Sequence, residues 1–237
     1  MALDISRIKA LCFDVDGTLS DTDDQFVLKI VRWLRPVKFI FPNKDPLPFA
    51  RKFVMMTETP GNFLFGFPDR LGIDDEIATL GDSIYQMGLR KTHKPFLLIP
   101  GVMDTLENLH SQYSMSVVSA RGGSSTQMFL DQFNLSPFFK AIATAQTCKH
   151  TKPYPDPILW AAEQMGVPPT ECLMIGDTTV DIMAAKAAKA QSVGVLCGFG
   201  EKKELDNSGA DLILEHTALL PDALSEKALT DVNQGYR

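Results

Sequence analysis

Six short apolar runs punctuate the chain: Ile8 to Phe13, Met115 to Val118, Ala141 to Ala145, Cys172 to Ile175, Ser192 to Cys197 and Ala210 to Leu214. Each has strand length and is apolar throughout, the pattern of strands buried on both faces. Between the later runs the spacing becomes helical. Val102, Leu106 and Leu109 share one face, as do Met128, Leu130 and Phe133; Ile158, Ala161, Ala162 and Met165 form another stripe, and Ile182, Ala185 and Ala188 a fourth. Strands alternating with helices imply βαβ crossovers, so the pattern predicts an α/β fold with a doubly wound, Rossmann-like parallel sheet.

Residues 21–97 break this rhythm. Gln25 to Leu34 reads as a helix, and Asp74 to Leu89 as another. Between them Pro36, Pro42, Pro46, Pro48, Pro60 and Pro68 exclude one long helix and favour short helices joined by turns. The segment reads as a smaller, mainly helical unit inserted after the first strand, and Pro100-Gly101 marks the return to the sheet domain. The expected organisation is a core of residues 1–20 and 98–237 and a helical insertion of residues 21–97.

Composition narrows the class. With 45% hydrophobic residues the chain can bury a sizeable core. A formal net charge of −6 argues against chain-wide, sequence-independent nucleic-acid binding. A local excess of basic residues runs from Lys29 to Met56 (Lys29, Arg32, Arg35, Lys38, Lys44, Arg51, Lys52, against the single acidic Asp45), interleaved with Trp33, Phe39 and Phe41. The favoured expectation makes those rings the core of the inserted unit and the charges its solvated face; steering of an anionic substrate comes second and nucleic acid last. No stretch is apolar for about 18 residues, so no membrane span is expected. The first apolar run is cut by Asp14 and Asp16, too short and too acidic for a signal peptide. The four cysteines have neither zinc spacing nor a C-x-x-C pair. Reduced thiols in a cytoplasmic protein are the expectation.

The candidate chemistry lies where the apolar runs end. The first ends in Asp14-Val15-Asp16-Gly17-Thr18. Two carboxylates two residues apart at a strand end can face one crevice, and in open α/β sheets that crevice is the functional one. Ser119-Ala120-Arg121-Gly122-Gly123 follows the second run and opens a helix, an arrangement able to bind an oxyanion or simply to cap. Lys152-Pro153-Tyr154-Pro155 follows the third. Gly176-Asp177-Thr178-Thr179-Val180-Asp181 follows the fourth, with Asp181 in the first turn of a helix, where the dipole alone would also favour it.

The order and placement of D-x-D-G-T, Ser, Lys-Pro and G-D-x-x-x-D resemble the haloacid dehalogenase-like superfamily of phosphohydrolases. The resemblance covers residues 8–20 and 98–215. The stretches at Lys152, at Gly176 and at Val195-Leu-Cys-Gly-Phe-Gly are similar to its phosphoglycolate phosphatase-like branch, and the insertion resembles its helical cap of the first type. The resemblance implies a phosphatase acting on a small phosphorylated metabolite, with Asp14 as nucleophile forming an aspartyl-phosphate and Asp16 as general acid and then base. It implies Mg²⁺ held by the Asp14 carboxylate, the Asp16 backbone carbonyl and Asp177, with Asp181 behind them. Hard oxygen ligands suit that ion. Lys152 and Ser119 would contact the phosphoryl oxygens, helped by the Ala120 amide.

The family commonly has Asn where Ala120 stands. The Arg121 that follows either contacts a second anionic group of the substrate or faces solvent, and solvent is the expectation. A phosphomutase or pyrophosphatase would share the same core residues, whereas a dehalogenase needs no metal cluster. A receiver-type signalling domain orders its acidic residues differently. The P-loop pattern is absent, and a non-catalytic phosphate-binding module predicts erosion of reactive positions that are all present here.

Overall fold

The computed structural model describes residues 3–21, 30–41, 44–46, 49–50 and 96–225. By its internal contacts the chain divides into two units, Met1–Ser20 with Leu98–Arg237, and Asp21–Leu97.

The first unit is built on a six-stranded sheet. The strands are β1 (Ala10–Phe13), β2 (Ser114–Val118), β3 (Ala141–Ala143), β4 (Cys172–Gly176), β5 (Gln191–Val195) and β6 (Leu212–Leu214). All neighbours pair in parallel, in the order β3-β2-β1-β4-β5-β6. Helices alternate with them: α1 (Val102–Leu109), α2 (Gly123–Gln132), α3 (Asp156–Met165), α4 (Thr179–Ala188), α5 (Lys202–Ser208) and the short α6 (Leu220–Ala223). The doubly wound α/β architecture read from the apolar runs is the observed one.

The strands are apolar throughout because both faces are covered. Ala10, Cys12, Cys172 and Met174 point to one face, where Ile158, Ala161, Ala162 and Met165 of α3 and Ala184, Ala185 and Ala188 of α4 close over them. Alanine at so many contact positions lets these helices lie close to the strands. Enlarging one of them, as in Ala185→Leu, would overpack the layer at about 1–3 kcal/mol. Three of the four predicted helical stripes are buried as read. The stripe of α2 differs: Thr126, Phe129 and Leu130 are its buried positions, while Met128 and Phe133 are only half-buried. An i, i+3, i+4 set covers a single turn's face, which Met128 and Phe133 straddle.

Order β3-β2-β1-β4 means that the chain winds outward from β1 in one direction and, after β3, crosses to the other side to begin β4. The switch point lies between β1 and β4, paired with Phe13 opposite Ile175. There the connections diverge and leave a crevice beyond the carboxyl ends of the strands.

Less of the second unit falls among the described residues. Residues 30–34 are helical, and Arg35–Ile40 follows as a 3₁₀ segment with Pro36 near its start. The rest of the helix expected over Gln25 to Leu34, and the whole of Asp74 to Leu89, lie outside the described residues. Trp33 and Phe39 are 82% and 70% exposed, which corrects the expectation that they form this unit's core. The 3₁₀ segment that carries Phe39 has no buried residue. Phe41 does find a ring partner, Phe49, at 5.1 Å.

Candidate active site

The switch-point crevice receives one loop from each of four strands. Asp14 directly follows β1, and its amide donates to the Ile175 carbonyl at 2.9 Å, so the last ladder bond of β1 fixes where the side chain starts. Gly17, at φ 71°, turns the chain back at once, and its amide donates to Ser20 O at 2.9 Å. Ser119 is set by its own amide on the Ala143 carbonyl at 2.9 Å.

Lys152 arrives from the loop between β3 and α3 and is 2% exposed. Its ammonium donates to Asp14 Oδ1 at 2.7 Å and to Asp181 Oδ1 at 2.5 Å. Asp181, in the first turn of α4, is fully buried. Its other oxygen accepts from the Thr178 amide at 3.0 Å and from the Thr178 hydroxyl at 2.7 Å. The choice between a helix-capping and a site residue therefore dissolves: one carboxylate caps α4 and holds the lysine.

Asp177 is also fully buried and is oriented by a residue outside the expected set. The Phe199 amide donates to Asp177 Oδ2 at 2.8 Å from the loop after β5. That loop can approach only because Gly198 and Gly200 flank the phenylalanine. A side-chain carbon at Gly198 would collide with the Asp177 carboxylate, and one at Gly200 with its carbonyl. The Gly-Phe-Gly triplet carries the signal for this role in the sequence. Gly176 is equally constrained, since a side-chain carbon there would collide with Asp181.

Burial controls the charges. Desolvation is the largest influence on Asp14, and together with the nearby charges of Asp181 and Asp16 it pushes that carboxyl up to about 7 despite the attraction of Lys152. For Lys152, desolvation works against the charge, but Asp14 and Asp181 outweigh it and the ammonium is held more firmly than usual. Asp14, Asp177 and Asp181 each offer an oxygen, and these atoms lie within 4.8 Å of one another. Four carboxylates including Asp16 meet two cations, Lys152 and Arg121, leaving two negative charges when all four are ionised. An all-oxygen donor set with that surplus fits a hard divalent cation.

Arg121 is not in solvent. Its side chain is 12% exposed and grips Asp16 with a two-pronged pair: Nε donates to Oδ2 at 3.0 Å and Nη2 to Oδ1. The expectation failed because a carboxylate 105 residues away in sequence offers the guanidinium a bidentate partner, stronger than water supplies. Ser119 is buried, and its hydroxyl oxygen accepts from the Arg121 amide at 3.1 Å, while Ala120 is exposed. The structure thus gathers Asp14, Lys152, Asp177 and Asp181 into one buried group and joins Asp16 to Arg121 and Arg121 to Ser119.

Among curated proteins, the chain is 27% identical over 219 residues to a phosphoglycolate phosphatase of Pseudomonas putida, covering 90% of this chain and 79% of that one. It is 28% identical over 209 residues to the pyrophosphatase PpaX of Oceanobacillus iheyensis, covering 88% and 92%. A solved hydrolase from Pseudomonas syringae superposes with a TM-score of 0.65 at 25% identity, covering 92% of this chain and 98% of that one. Residues 11–195 match the haloacid dehalogenase-like hydrolase family, and the chain belongs to it.

Proposed function

We propose that this protein is an Mg²⁺-dependent phosphatase that hydrolyses a small phosphate monoester through a phosphorylated Asp14. The observation that carries the reading is the Lys152 ammonium shared between Asp14 and Asp181, with an oxygen of Asp177 within 4.8 Å of theirs. Lys152 lies against Asp14 Oδ1, where it can steady both the attacking carboxylate and the phosphoryl oxygens it approaches. Asp14 attacks phosphorus, and the bond to the ester oxygen breaks. Asp16 gives that oxygen a proton, and the alcohol leaves. Asp16, now a carboxylate, takes a proton from water as the water attacks phosphorus. Inorganic phosphate departs and Asp14 is restored.

The residues fit a resident divalent cation: the Asp14 carboxylate, the Asp16 backbone carbonyl and Asp177 would hold it, with Asp181 anchoring Lys152 beside them. When bound, Mg²⁺ supplies positive charge against the nucleophile and the phosphoryl oxygens. Asp14, raised to about 7 by burial, needs such a counter-charge to be fully ionised at neutral pH. Ser119 would donate its hydroxyl proton to a phosphoryl oxygen, joined by the amide of Ala120. The unit formed by residues 21–97 is read as the cap that selects substrate. No described helix is long and apolar enough to cross a membrane, and four free cysteines suit the reducing cytoplasm.

Phosphoglycolate leads the substrate candidates, supported by the name of the Pseudomonas putida relative; pyrophosphate is second, supported by the relative from Oceanobacillus. The deciding experiment is a panel of phosphoglycolate, sugar phosphates, nucleotides and pyrophosphate with millimolar Mg²⁺, read as released phosphate. Turnover that needs Mg²⁺ and vanishes in Asp14→Asn is the expected result. Release by Asp14→Asn at the wild-type rate would remove the mechanism.

A further inference from the structure

The Asp16–Arg121 pair occupies both oxygens of the side chain that the proposed reaction needs at the leaving oxygen. The backbone of Arg121 is anchored, its amide on Ser119 Oγ at 3.1 Å and its carbonyl accepting the Ala145 amide at 3.0 Å. Its guanidinium carbon stands 5.8 Å from the centre of the Phe129 ring. The base of the side chain is thus fixed while its end rides on rotatable bonds. Its partner Asp16 is 27% exposed, on the open side of the site, whereas the carboxylates around Lys152 are closed off from water. Arg121 itself is 12% exposed, so an entering anion takes the fork only by displacing Asp16 from it.

We propose that Arg121 recognises a second anionic group on the leaving side of the substrate, and that its transfer from Asp16 to this group frees the Asp16 carboxylate to take up a proton from solvent and give it to the leaving oxygen. The planar fork that fits the Asp16 carboxylate fits a substrate carboxylate or phosphate equally. Exchanging one such pair for another is close to even in energy, whereas opening the pair with no replacement is not. A substrate lacking the second anion is therefore disfavoured by that difference. Because Asp16 serves the leaving oxygen, the guanidinium holding it lies nearby, and the second anion must sit within a few atoms of the ester oxygen. The substrate class is a small phosphate ester whose alcohol carries a carboxylate next to the ester, or pyrophosphate, whose leaving group is itself the anion. The catalytic half of this proposal rests on the phosphatase reading; the binding half does not.

Calorimetric titration of the full chain in Mg²⁺ with phosphonoacetate and with ethylphosphonate reads the subsite without turnover. Wild type is expected to bind phosphonoacetate tighter by roughly tenfold or more, Arg121→Gln to lose that preference, and Arg121→Lys, with charge but no fork, to keep part of it. In turnover, wild type favours phosphoglycolate over ethyl phosphate in kcat/KM. Arg121→Gln is expected to lower kcat/KM for phosphoglycolate by roughly tenfold and to raise that for ethyl phosphate, since Asp16 is released. Equal affinity of wild type for the two phosphonates overturns the proposal, as does a preference that survives in both folded variants. If the phosphonates discriminate through Arg121 but nothing on the panel is hydrolysed, the subsite stands and the phosphatase reading falls. If both esters turn over equally well, the phosphatase reading stands and the subsite falls.

Discussion

Two charged groups meet in the same crevice and are built on different terms. Around Lys152 the side chains of Lys152, Asp14 and Asp181 are 3%, 9% and 0% exposed, and every charge depends on the others for compensation. At the mouth Arg121 and Asp16 also pair, with side chains 12% and 27% exposed, so water reaches the carboxylate. Removing a member of the first group strands a buried charge, whereas removing Arg121 from the second leaves a carboxylate that solvent can reach. A buried group suits permanent machinery. A pair with one member open to water suits something that is exchanged.

The contrast can be broken in several ways, and the largest expected effect is on chemistry. Asp14→Asn should cut hydrolysis of an aryl phosphate by about 10³-fold or more with the fold intact; a rate within tenfold of wild type would remove Asp14 as nucleophile. Next comes Lys152→Met, which strands Asp14 and Asp181. It should destabilise the folded state by about 3–5 kcal/mol in denaturant melts, and a loss below about 1 kcal/mol would mean the buried group is not interdependent.

Mg²⁺ should come third. At a hundredfold excess over its Kd it stabilises by about 2.7 kcal/mol, seen as a raised thermal midpoint; an unchanged midpoint at millimolar Mg²⁺ contradicts the metal site. The effect has a pH sign. Asp14 is raised from its ordinary 3.8 to about 7 by burial, so its contribution to folding is fully present below 3.8 and is lost as pH rises through about 7. The metal-free protein should therefore lose stability across that window more than Asp14→Asn does, and Mg²⁺ should shrink the difference between them. The smallest effect belongs to the mouth: Arg121→Gln should change stability by no more than about 1 kcal/mol, and a loss as large as that of Lys152→Met would erase the distinction.

Much of this was legible in the sequence, for reasons that also mark where legibility stops. The apolar runs located every described strand because strands buried on both faces need unbroken hydrophobicity, although β1, β3 and β6 are shorter than their runs and β2 and β5 begin a residue before theirs. The sheet order was not legible, since crossovers are decided by tertiary packing. Asp14, Asp177 and Asp181 were found because each directly follows a strand or opens a helix, positions that aim side chains at one edge of the sheet, whereas Lys152, in the loop before α3, was found through the Lys-Pro resemblance. The pairing of Arg121 with Asp16 and the role of Phe199 were missed for opposite reasons. The guanidinium reaches its partner across 105 residues of chain, a distance no local pattern records. Phe199 acts through its amide, so its side chain advertises nothing, and only the flanking glycines hint at the close approach.

The stems that bound residues 21–97 bring a practical consequence. Ser20 and Leu98 pair as an antiparallel bridge, and the Ile99 amide donates to the Leu19 carbonyl at 3.0 Å. The points where the chain departs from the sheet and where it re-enters are clasped together, as the two ends of a tight hairpin would be. A cassette with matching ends could be grafted at this clasp while the reactive loops keep their own sequence, and such an exchange would test whether residues 21–97 select substrate as proposed.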